Sequence, residues 1–150
     1  MGNVSEIISR VRISAAPEAV FDFIDHWPNA MRYLRRVDRW VLVDKDGGTG
    51  VGAEFDIGVQ AGPTHLEGRL RVIEHDRPRR IAFRSLDGPR VEGSWTFSSE
   101  GTDTHVVLHA SYDLPGGLVG RVVGAFVSRH AQGDLDASLR ELKRLVETAD

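Results

Sequence analysis

Several residues of this sequence pair an apolar body with one polar atom in otherwise apolar surroundings. On a helical wheel of residues 117–147, His130 falls in the middle of a stripe formed by Val119, Val122, Val123, Phe126 and Val127. An imidazole there can hydrogen-bond a guest or move a proton. It can equally bond a neighbouring carbonyl or carboxylate and do nothing more. Tyr112 and Trp95 fall on the apolar faces of two strand-like runs. Each offers one polar atom on a ring, which suits a hydrophobic guest with one polar end, or plain core packing. Trp27, Met31 and Tyr33 lie on or before a short helix, where they form either a rim around an opening or a staple for that helix. The candidate ligand-binding set is Trp27, Met31, Tyr33, Phe55, Phe83, Trp95, Tyr112, Val123, Phe126, Val127 and His130. No catalytic residue is assigned.

Other patterns carry less chemistry. His105 and His109 share a strand face, but it is the outward one and no third ligand accompanies them, so no metal and no cofactor are expected. His26, His65 and His75 read as surface or turn residues. Arg32, Arg35, Arg36 and Arg39 form a basic cluster that fits either an anionic ligand or a solvated face. Gly47-Gly48-Thr49-Gly50-Val51-Gly52 is glycine-rich, yet no helix follows it, so it reads as a hairpin loop and not a phosphate cradle. There is no nucleophile elbow and no convincing carboxylate pair.

The totals narrow the function further. A chain of 150 residues that is 41% hydrophobic and 27% charged is expected to fold as one domain over 1–150. Its net charge of −3 argues against nucleic-acid binding. With 0 cysteines, thiolate catalysis and cysteine-bound zinc are excluded. No apolar run reaches the ~20 residues of a membrane span, and no signal peptide is visible. The expectation is a cytoplasmic protein without stable membrane insertion, a monomer or weak homodimer.

The candidates need elements to hold them. Ile7, Ser9, Val11 and Ile13 alternate with more polar neighbours as a first strand. Pro17 then opens a helix with Val20, Phe21, Phe23 and Ile24 on one side, and Trp27-Pro28 stops it. A second short helix covers about Pro28 to Arg36. Turn signals at Asp46-Gly47-Gly48, Gly62-Pro63, Arg77-Pro78, Asp87-Gly88-Pro89 and Glu100-Gly101 separate six strand-like runs. Pro115-Gly116-Gly117 ends the last of them, and a long helix follows. This order predicts an α+β fold. A seven-stranded curved antiparallel sheet wraps the long C-terminal helix, with two short helices between strands 1 and 2.

Period-two alternation predicts the inward faces. They are Ala53, Phe55, Ile57 and Val59; Leu66, Gly68, Leu70 and Val72; Ile81 and Phe83; Gly93, Trp95 and Phe97; and Val106, Leu108, Ala110 and Tyr112. In the long helix, Leu135, Leu139, Leu142 and Val146 form a stripe rotated away from the Val119–Val127 stripe, with Gly133 at the join as a weak or kinked point. The second half is expected to be core. The first half is expected to face an internal pocket.

The stretch Arg12 to Asp25 (RISAAPEAVFDFID) resembles the first strand and helix of the polyketide cyclase/dehydrase and lipid-transport superfamily, also described as START-like, SRPBCC or helix-grip. Gly50-Val51-Gly52, Gly93-Ser94-Trp95-Thr96-Phe97, Thr104 with Val106, and Tyr112-Asp113-Leu114-Pro115-Gly116 extend the resemblance along nearly the whole chain. It implies an internal cavity for a small hydrophobic ligand such as a lipid or a polyketide or other polyaromatic. The alternative is an aromatase/cyclase or dehydratase acting on a polyketide-like substrate in the same cavity. A third reading is an interaction protein whose large side chains fill the interior completely.

Overall fold

The protein is described by a computed structural model over residues 5–44, 48–113 and 117–149. The turn at Asp46-Gly47, the strand end at Pro115-Gly116 and the side chain of Val119 lie outside the described residues.

Strand β1 (Ser5–Ile13) leads to helix α1 (Pro17–Asp25), a 3-10 turn (Trp27–Asn29) and helix α2 (Ala30–Tyr33). Strands β2 (Val37–Leu42), β3 (Glu54–Ala61), β4 (Thr64–Asp76), β5 (Arg80–Asp87), β6 (Arg90–Glu100) and β7 (Asp103–Asp113) follow, then helix α3 (Gly117–Thr148). The strands form one antiparallel sheet in the order β1-β7-β6-β5-β4-β3-β2. The element order and the helix-grip architecture match the sequence reading.

Proline at the start of α1 loses no hydrogen bond, because the first helical N–H groups have no intrahelical partner. Val20 and Phe21 are fully buried beneath this helix, where Phe21 meets Phe97 edge-on at 5.7 Å between ring centroids. The alternation predicted for the strands decides their faces as expected: Phe55, Leu70, Val72, Ile81, Trp95, Phe97, Val106 and Leu108 are all buried.

Helix α3 runs unbroken through Gly133. Its second half is core, with Leu139, Leu142 and Val146 buried. Polar ties also concentrate there. Ser9 Oγ donates to Asp136 at 2.6 Å, Lys143 Nζ donates to the Arg12 carbonyl at 2.9 Å, and the Ser14 N–H donates to Glu147 at 2.8 Å. Gln132 reaches the Ile8 carbonyl at 3.0 Å. Among the described residues, no hydrogen bond or ion pair ties the part of α3 before Gln132 to the sheet.

Candidate functional site

The sheet's curvature and the two short helices leave space between them. The first chamber, about 60 Å³, has its floor on β3 to β6, at Phe55, Leu70, Val72, Ile81, Phe83 and Trp95. Its roof is the α1–α2 segment, at Ile24, Asp25, Trp27, Ala30, Tyr33 and Leu34. Trp40 closes one side, tilted against Phe55 at 5.8 Å. All 3 tryptophans of the chain therefore line one chamber. Phe83 reaches its place because residue 93 is glycine: a Cβ there would sit 2.6 Å from the Phe83 ring.

Tyr33 is the polar centre of this chamber. It is 4% exposed, lies 6.2 Å edge-on to Trp95, and packs against Phe23. Among the described residues its hydroxyl has no hydrogen-bond partner, and no buried side-chain oxygen or nitrogen is sealed off without one. The hydroxyl therefore keeps some accessible surface, and Tyr33 is one of the residues lining the chamber. Burial pushes the phenol well above its ordinary pKa, so it remains a protonated donor. An unmet hydroxyl in an apolar site costs about 1–3 kcal/mol, which an oxygen acceptor in the chamber recovers. The Trp95 indole N–H, on a residue 5% exposed, is likewise without a partner among the described residues.

His75 corrects the sequence reading. It is neither a surface nor a turn residue. The register of β4 on β5 shifts between Val72 and Glu74, so Ile73 is an extra residue in the ladder. The bulge reverses the alternation after it. His75 then pairs with Ile81 and shares its inward face. Its ring stands edge-on to Phe21 at 5.2 Å, and Nε2 lies 2.9 Å from the carboxylate of Asp25, a roof residue of the chamber. Sequence pattern missed this pair because one inserted residue leaves no mark on local hydropathy.

A second chamber of about 190 Å³ continues along the same inner face. Ile7, Ile57, Val59, Leu66, Gly68, Leu70, Val91 and Tyr112 form its sheet side, and Val127 of α3 faces them. Its wall is mainly apolar, with Glu67, Ser85 and Asp87 also among the lining residues. Leu70, 4% exposed, lines both chambers and is the partition between them. Beyond Val59 and Val127 a third space of about 200 Å³ opens between the end of β3 and α3. Phe126 lines this mouth and lies on the β3–β4 turn, where a Cβ on Gly62 would be 3.0 Å from its ring.

The candidate residues thus fall into groups. Trp27, Tyr33, Phe55, Phe83 and Trp95 line the first chamber, Tyr112 and Val127 the second, and Phe126 with Val127 the mouth. Val123 is 1% exposed and packed into the core, lining none of these spaces. Met31 is 51% exposed on the outer side of α2. His130 stacks on Phe126 at 4.5 Å and lines none of the three spaces. Among the described residues no group of three or more His, Asp or Glu side chains is placed to hold a metal ion.

Comparison with known proteins follows the same geometry. TTHA0849 of Thermus thermophilus is 26% identical, with 95% of this chain and 97% of that one covered at a TM-score of 0.81. The Zhui aromatase/cyclase of a Streptomyces species is 19% identical, covering 97% and 98% at a TM-score of 0.74. The di-domain ARO/CYC protein BexL is 18% identical and superposes over 98% of this chain and 51% of its own length, at a TM-score of 0.74. At these identities the last two share the fold alone. No curated protein matches the sequence. The sequence does match the family described as "Polyketide cyclase / dehydrase and lipid transport" over residues 6–147. That match spans β1 to the last turn of α3, the same elements that floor, roof and close the chambers, and the chain belongs to this family.

Proposed function

We propose that the protein binds a small, largely apolar molecule in the space between its sheet, its two short helices and the first half of α3. The observation that carries this reading is the largely apolar chamber between Tyr112 and Val127, adjoining a first chamber lined by Tyr33, whose hydroxyl has no partner among the described residues. An apolar wall with one convergent polar group is the usual design of a small-molecule site. Each chamber alone is smaller than the ~300 Å³ at which ligand pockets usually begin. With Leu70 and Phe126 displaced, the three spaces together reach that range. The guest's neutral oxygen faces Tyr33 and Trp95, and its body extends past Leu70.

The test uses the tryptophans in the first chamber as reporters. Titration with hydroxylated naphthalenes and anthraquinones should quench their emission with micromolar affinity, and Tyr33→Phe should weaken the carbonyl-bearing compounds selectively. Absence of quenching by every compound up to millimolar concentration overturns the reading. Mass spectrometry of material that copurifies gives the guest's identity.

The same geometry supports a second reading, an aromatase/cyclase or dehydratase acting on a polyketide-like chain. A protonated phenol on the chamber wall can donate a hydrogen bond to a substrate carbonyl and stabilise the negative charge that develops on its oxygen. His130, stacked on Phe126, has no part in this version. Unchanged turnover of a cyclising substrate by Tyr33→Phe would remove it.

A further inference from the structure

The four arginines of the basic cluster have separate fates. Arg32 donates to the Asn29 side chain at 2.9 Å and lies over the Phe23 ring. Arg39 lies near Asp56, at 3.9 Å. Arg36 pairs with Asp134 at 2.6 Å, and its guanidinium covers the Phe126 ring at 4.8 Å. Its backbone has φ 66°, the left-handed region that a side chain as large as arginine rarely occupies. The sheet pins that conformation, because the Gln60 N–H donates to the Arg36 carbonyl at 2.9 Å. Such strain persists only where the surroundings over-determine it. Here it holds consecutive arginines at the mouth beside the largely apolar chamber.

Arg35 is the remaining member. Its backbone N–H donates to Ser138 Oγ at 2.9 Å, which fixes its position against α3. Arg35 is one of the residues lining the mouth, and its guanidinium has no ion pair or side-chain hydrogen bond among the described residues. The mouth shares Val59 and Val127 with the apolar chamber. Its one lining carboxylate, Asp134, is already taken by Arg36. The free charge at this opening is positive.

We propose that the ligand is an amphipathic anion, with its apolar body in the chamber between Tyr112 and Val127 and a carboxylate or phosphate head held at the mouth by Arg35. This rests on the reading of the inner space as a ligand chamber. Planar guanidinium suits either head by paired N–H donation. Arg36 stays on Asp134 and shapes the opening by holding Phe126 in place.

Calorimetric titration with octanoate, octyl phosphate and the neutral isostere octanamide tests it. At about 20 mM salt at least one of the anions should bind roughly five- to tenfold tighter than octanamide, and the better one identifies the head. Raising salt to about 500 mM should weaken the anions and leave octanamide unchanged. Arg35→Gln, with an unchanged urea midpoint, should bring the anions down to the affinity of octanamide. Equal affinity of octanamide and both anions, or an equal loss of all three in Arg35→Gln, overturns the anion assignment and leaves the chamber reading standing. Failure of all three to bind at millimolar concentration overturns both.

Discussion

The imidazole of His75 lies 2.9 Å from the carboxylate of Asp25, joining β4 to the last residue of α1 over the edge of the first chamber. Both side chains are about three-quarters buried, with 21% and 27% of their surface exposed. The bond therefore holds the roof segment, from Asp25 through Trp27 to Tyr33, at a fixed height above the sheet. Removing either partner should cost about 1 kcal/mol, the usual net worth of such a hydrogen bond. Urea denaturation of His75→Ala, Asp25→Ala and the double variant checks this. The double variant should lose less than the sum of the singles, because the two share one interaction.

Tyr33 makes stability depend on alkaline pH. Its phenol ionises near ~10 in an unfolded chain, and burial raises that value in the fold. The contribution is complete below pH ~10 and is lost as pH rises through the folded value. Tyrosinate absorbance from Tyr33 should therefore appear only together with unfolding. Tyr33→Phe should flatten the alkaline limb of the stability curve. At neutral pH it should raise the stability of the ligand-free protein by up to about 1–3 kcal/mol, since the hydroxyl it removes has no partner among the described residues.

Leu70→Ala should join the two inner chambers. Truncating a buried leucine costs about 2–5 kcal/mol, more when the cavity does not collapse. The surrounding Phe55, Val72 and Phe83 are held by the sheet, so the upper part of that range is expected. Chemical denaturation measures the loss. In the folded variant, three-ring aromatics should gain affinity relative to two-ring ones, as followed by tryptophan quenching.

Gly133→Ala should stabilise the protein. The position is helical, exposed, and a Cβ there meets nothing within 4 Å. Removing backbone freedom from the unfolded chain should add about 0.5–1 kcal/mol. Thermal unfolding at neutral pH checks the sign.

Much of this architecture could be read before any coordinates. Alternation placed Phe55, Trp95 and Tyr112 on one face, and the stripe of Leu139, Leu142 and Val146 marked the core half of α3; of the first-half stripe only Phe126 and Val127 line the inner spaces, while Val123 is core and Val122 is 41% exposed. What stayed hidden depends on single residues. Ile73 is apolar yet 40% exposed, and as the extra residue of a bulge it turned His75 inward. Tyr33 and Met31 read alike in sequence, both on the short second helix. A helix of one turn has too few positions for a periodic signal to tell its buried side from its exposed side, and the two residues lie on opposite sides. Arg35 looked like Arg32 and Arg36 until their partners were known.

The uneven fastening of α3 has a consequence for how the molecule breathes. From Gln132 onward the helix is stapled to β1 by side chains. The preceding four turns rest on the sheet through oily contacts, with Arg36 and Phe126 as the clasp at the boundary. Such a lever can lift at its free end while its anchored end stays protected from solvent. Amide protons of residues 120–130 should then exchange by local opening, and those of 135–146 only by global unfolding.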